Sequence, residues 1–192
     1  MKTYSRSDIE KIGNTIVYLA ERIPDLSKTK LLKLLYLLEE SYAIKHNLPF
    51  LGLEFEVWQA GPVARDIFIE LSDEPNLLSN YITIQKQVDT TFVKALNAFN
   101  DDEFSDNEID ALIFVVEKFG SLTAKRLVDI THRKNSAWYK VAKSKGLIEA
   151  FEKGLTNSSD EKIDFTSFLD EKGRDIFIEQ TAFKQLVSYI NL

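Results

Sequence analysis

The chain has 192 residues, a net charge of −6, 44% apolar and 28% charged residues, and no cysteine. That balance fits one well-buried globular core spanning 1–192, excludes disordered, collagen-like and disulfide-stapled chains, and suits a reducing cytoplasm. Net acidity also argues against indiscriminate binding to nucleic acid, where cationic contacts to phosphate supply most of the affinity. The start, Met1-Lys2-Thr3-Tyr4-Ser5-Arg6, lacks the apolar core of a signal peptide. The longest apolar run, Leu34 to Leu38, falls far short of the roughly 20 residues needed to cross a bilayer. A soluble cytoplasmic protein with no membrane partner is expected.

Ser7-Asp8-Ile9-Glu10 has the pattern of a capping box, and Ile9, Ile12, Ile16, Leu19 and Ile23 then recur at helical spacing until Pro24. A second helix is expected from Thr29 to His46. It is apolar nearly all round its first half, which predicts a central, buried position. Leu53 to Trp58 alternates as a half-buried strand does, with Leu53, Phe55 and Val57 on one face. Gly61 and Pro62 then read as a strand-to-helix joint, Pro62 at the first helical position and the helix running to Leu71. Tyr81 to Gln85 is a candidate second strand able to pair with the first.

Phe92, Leu96 and Phe99 mark a helix from about Asp89, and Ser105-Asp106-Asn107-Glu108 is a second capping box before a helix ended by Gly120. Two short helices should follow, Thr123 to Thr131 and Ser136 to Lys145, closed by Gly146. The apolar residues of 150–192, among them Phe165, Phe168, Phe177 and Phe183, predict a docked tail. Lys153 to Lys162 reads as a flexible loop. The expected fold is mainly α: a compact helical domain with a small antiparallel sheet of two or three short strands.

Charge is distributed unevenly. Between Ser121 and Gly146 seven basic residues face the single acid Asp129, whereas Glu149 to Glu179 holds nine acids against four bases. The two segments either pair internally or present separate faces to partners. His46 and His132 have no local partner at zinc-ligand spacing, no glycine elbow surrounds a serine, and no glycine-rich phosphate loop is present. No metal, cofactor or catalytic group is expected. Adjacent carboxylates such as Glu39-Glu40, Asp101-Asp102 and Asp160-Glu161 read as solvated faces or turns.

Thr131, His132 and Trp138 carry two readings. Either Thr131 and His132 close a helix while Trp138 packs inward and donates its indole N–H to a carbonyl, or the three belong to a partner-binding surface. Trp58 carries the same ambiguity. The basic pair of short helices could also form a winged-helix-like unit, in which Arg133, Lys140 and Lys143 meet phosphates, Asn135 or Ser136 lies near base edges, and Lys134 belongs to the same nucleic-acid set.

Three stretches together identify a family resemblance: Lys30-Leu31-Leu32-Lys33-Leu34-Leu35-Tyr36-Leu37-Leu38, then Glu56-Val57-Trp58-Gln59-Ala60-Gly61-Pro62-Val63, then Leu127 to Trp138 with its Thr131-His132 pair. In this order and spacing, over 30–141, the chain resembles the Panacea domain, the SocA-like antitoxin domain of bacterial and phage toxin–antitoxin pairs. Relatives often place an acid between Thr-His and Trp, and Arg133 to Ala137 has none. The resemblance implies a non-enzymatic antitoxin that stoichiometrically binds a cognate toxin, in this family usually encoded beside it. A proteolytic adaptor or an operon-binding regulator is the alternative role. Trp58, Gly61, Pro62, Val63, Thr131, His132, Arg133 and Trp138 are then the candidate partner-binding residues. Oligomeric state stays open.

Overall fold

The computed structural model describes residues 3–190. Two long helices open it, α1 (Arg6–Arg22) and α2 (Lys28–His46). The capping box of α1 is built two residues earlier than the sequence suggests. Ser5, not Ser7, is the N-cap: its hydroxyl accepts from the Asp8 amide, and its own amide donates to the Asp8 carboxylate at 2.9 Å. Ser7 already lies inside the helix, and its hydroxyl donates to Glu103. α2 is central, as its all-round apolar surface requires: every residue from Leu31 to Glu40 is buried. Asn47, at φ 58, ends it in the left-handed region, which asparagine tolerates.

The Gly-Pro stretch is a strand, not the start of a helix. β1 (Phe55–Trp58) turns through Gln59-Ala60 into antiparallel β2 (Gly61–Ala64), with Val57 opposite Pro62 and Trp58 opposite Gly61. Proline is tolerated because β2 pairs on one side only among the described residues, so no ladder amide is lost there. The helix α3 begins later, at Arg65, and ends at Glu70.

A second correction follows. The strand expected at Tyr81 to Gln85 exists as β3 (Ile82–Lys86) but pairs with β4 (Thr91–Ala95), the stretch read as helical, instead of with β1. Thr90-Thr91-Phe92-Val93 is β-branched and aromatic, and that local preference prevails over the helical spacing of Phe92, Leu96 and Phe99. The Val93 amide ties this hairpin to the α1–α2 loop by donating to the Leu26 carbonyl.

α4 (Asp106–Phe119) carries the expected Ser105–Glu108 capping box. α5 (Ala124–Thr131) and α6 (Ala137–Ser144) are capped by Thr123 and Ser136. Gly146 then opens α7 (Leu147–Glu152). The supposed loop after Lys153 is held in place. Val57 donates to the Glu161 carbonyl, Gln59 to that of Asn157, and Ile163 to that of Phe55, so the segment lines the free edge of β1. An unpaired buried strand edge would leave those backbone groups unsatisfied. A 3-10 turn (Phe165–Phe168) packs on α2, and α8 (Glu171–Ile190) docks behind it. The fold is mainly α with two small antiparallel two-stranded sheets.

The core is centred on α2: the Tyr36 ring meets Phe55 edge-on at 5.5 Å and Phe165 at 5.6 Å. Glu39 and Glu40 lie inside it, at 1% and 2% exposure, where solvated carboxylates were expected. Both have backbone or side-chain donors that make burial tolerable. Glu39 accepts the amides of Phe50, Leu51 and Gly52 at 2.9–3.1 Å and so ties down the loop after α2.

Candidate functional site

The three motif stretches meet at the tip of the β1–β2 hairpin. Three of its carbonyls are each held by a side chain from elsewhere in the chain. The Trp138 indole N–H donates to Trp58 at 3.1 Å, Nε2 of His132 lies 3.0 Å from the Gln59 oxygen, and the Lys33 amine donates to Pro62 at 2.8 Å. The other ring nitrogen of His132, Nδ1, lies 2.6 Å from the Val128 carbonyl, which ties the ring to α5. A neutral imidazole has one N–H to give, so it donates to only one of these two carbonyls; the imidazolium donates to both.

Gly61 makes this convergence possible. Its φ of +96° lies where side chains are strained, and a Cβ there would sit 2.8 Å from Thr131 Oγ1, 3.0 Å from Lys33 Cε and 3.3 Å from His132 Cε1. Lys33 is only 1% exposed, and burial alone lowers its amine to about 7. Sealed in this way, it serves the Pro62 backbone oxygen.

Below the tip, Glu40 organises the α5–α6 turn. Its carboxylate accepts from the Tyr36 hydroxyl at 2.6 Å and the Ala137 amide at 3.5 Å, and it pairs with the Arg133 guanidinium. Burial and the adjacent Glu40 charge push the Tyr36 hydroxyl well above the ordinary tyrosine range. α2 therefore supplies Lys33 to the hairpin and Glu40 to the turn.

Of the residues singled out from sequence, Gly61, Pro62, Val63, Thr131 and Trp138 are buried, while Trp58, His132 and Arg133 are half-exposed. Trp58 packs at 5.0 Å from Phe68 and gives its indole N–H to Glu56. Lys134, Asn135, Lys140 and Lys143 are exposed, but the Lys140 amine reaches the Ser167 carbonyl and lies over the Phe168 ring. Lys145 pairs with Glu161, so the basic and acidic segments partly neutralise each other within the fold. Sequence reading missed Lys33, Tyr36, Glu40 and Gln59. The available signal was three charges, Lys33, Glu39 and Glu40, set in a stretch of α2 otherwise apolar all round.

Beside the tip lies a recess of about 310 Å³, bounded by Gln59, His132, Trp138, Tyr139, Ile148 and Phe151. The Trp138 and Phe151 rings stack at 19°, and the Gln59 amide donates to the Phe151 carbonyl, joining the hairpin to α7. Among the described residues no group of three or more His, Asp or Glu is placed to hold a metal, and no helix is long and apolar enough to cross a membrane.

The model of the family described as antitoxin SocA-like, Panacea domain, matches residues 31–139, more than half of the chain, and the chain belongs to that family. No curated protein and no solved structure matches it. The matched span contains every residue of the hairpin clamp and stops before α7 and α8. An antitoxin role and a toxin partner follow in general terms from the family.

Proposed function

We propose that this chain neutralises a cognate toxin, encoded in a neighbouring gene, by forming a stoichiometric complex with it. The face used is the hairpin tip with its aromatic recess. The observation that carries the reading is the recess itself. It opens where the three family stretches meet, it is walled by Trp138, His132 and Phe151, and it is preorganised by the carbonyl clamps behind it. Rigid aromatic pockets of this kind are where interface energy concentrates. A toxin side chain enters the recess while Gln59, Ala60 and the rims of Trp58 and Arg133 contact its surroundings.

The test is growth of a host expressing the toxin with wild-type protein or with Gln59→Trp, an exposed change that fills the mouth of the recess. Loss of rescue with a retained fold is expected. Full rescue by Gln59→Trp removes the recess from the interface. Toxin level in the rescued cells separates simple masking, where it persists, from adaptor-mediated proteolysis, where it falls. The basic helices support duplex DNA less well as the primary partner, because two of the residues expected to meet it are engaged within the fold, Arg133 by Glu40 and Lys140 by Ser167.

A further inference from the structure

A second surface lies away from the hairpin. α2, α4 and α5 enclose a groove of about 660 Å³, floored by Leu37, Phe119 and Ile130 and edged by Ile44 and Phe114, which are 50% and 41% exposed. Lys45 and Lys118 stand at its rim, the Lys118 amine 4.8 Å from the Phe114 ring. It is far larger than one side chain needs, and it is apolar where a monomer's surface is ordinarily polar.

The same chain carries the matching ridge. α8 docks by one face only: Phe177 is buried, Gly173 lies tight against Asn47, and the Lys184 amine donates to the carbonyls of Pro49 and Phe50. Its outer face presents Ile178, Phe183 and Leu186, each more than half exposed, with Ala182 between them. Ile178, Ala182 and Leu186 are spaced by four and form one line, with Phe183 beside it. About one turn before them stand the exposed Arg174, Asp175 and Glu179, a base and two acids that can meet Asp110 and the two lysines lining the groove.

We propose that the chain forms a two-fold dimer in which α8 of each copy fills the α2–α4–α5 groove of the other. Groove and ridge are complementary in shape class, apolarity and charge, yet α8 is held on its own chain by its inner face and leaves its outer one open. Two different complementary patches on one chain produce an open filament unless a two-fold axis lets both pairs form at once. Both patches border the C-terminal end of α2: the groove at Ile44, Lys45 and His46, the α8 docking face at Asn47, Pro49 and Phe50. An axis passing near that end brings each groove to the partner's ridge. The interface is independent of the toxin face.

The test is the solution mass of the full chain by light scattering across a dilution series. Twice the 22.0 kDa chain mass is expected. Phe114→Glu and Phe183→Glu, both at exposed positions, should each weaken the dimer at least tenfold, about 1.4 kcal/mol, with unchanged circular dichroism. Mixing the two variants should recover dimer in part, because the intact groove of one accepts the intact α8 of the other while the second pair carries both changes. Ile44→Asp and Leu186→Asp repeat the test at separate positions. A wild type that stays at 22.0 kDa throughout overturns the proposal, as does a dimer that none of the four changes weakens. Toxin rescue by the monomeric variants reads on the antitoxin function separately.

Discussion

Trp138 and Trp58, 80 positions apart, are joined through the indole N–H of the first and the backbone carbonyl of the second, 3.1 Å apart. One bond thus couples α6 to the turn of the β1–β2 hairpin. Trp138→Phe keeps an aromatic ring but removes the donor, and losing that hydrogen bond costs about 0.5–1.5 kcal/mol. Trp138→Ala also opens a cavity and should cost about 3–5 kcal/mol. Denaturant unfolding of the two variants checks this order. Equal losses would mean that the lost donor alone matters at the position.

Gly61→Ala should be among the most destabilising single-methyl additions in the chain. The backbone conformation is unfavourable for a side chain by about 1–3 kcal/mol, and the new methyl meets Thr131 Oγ1 at 2.8 Å. Adding Thr131→Ala removes the closest contact and should recover part, though not all, of the loss, since the φ of +96° remains. Full recovery would show that crowding is the whole effect.

Lys33 makes stability depend on pH. Burial lowers its amine from 10.5 to about 7, so between those values the unfolded chain holds a proton that the folded chain has released. Stability therefore rises as pH climbs from about 7 and levels off near 10.5, with the full penalty present below 7. Lys28, lowered by burial to about 8, and Lys184, also lowered by burial, act in the same direction. The denaturation midpoint should increase between neutral and alkaline pH, and Lys33→Met should flatten that increase. Parallel wild-type and variant profiles would contradict this assignment.

The Glu40–Arg133 pair is tested by a double-mutant cycle with Glu40→Gln and Arg133→Met. Contacting groups in one network couple by about 0.5–3 kcal/mol. Glu40→Gln should be the worse single change, because the carboxylate also serves Tyr36 and Ala137. Simple additivity of the two changes would show the ion pair to be incidental.

Much of this architecture was legible in the residues. Helical spacing placed α1, α2 and α4 to α6, the Ser105–Glu108 capping box fixed the start of α4, and the all-apolar first half of α2 pointed to its central position. Gly61-Pro62 misled because a proline after glycine suits the start of a helix, and only the partner across the turn, Val57, reveals a strand. β4 was hidden because Phe92, Leu96 and Phe99 satisfy helical spacing while Thr91 and Val93 satisfy the strand. At the site, Trp138 packs inward and donates to a carbonyl, one of the two roles its context offered. Lys33 and Glu40 escaped notice because their partners, Pro62 and Arg133, are distant in sequence, and charge alone does not show on which side of a helix its partner lies.

The most direct test of the central claim is co-expression of each neighbouring reading frame with and without this chain, followed by purification of any rescued pair. The account predicts a neighbour that arrests growth alone, is tolerated with this protein, and co-purifies with it at a fixed ratio. A toxic neighbour rescued without any complex, or no toxic neighbour at all, would contradict neutralisation by binding.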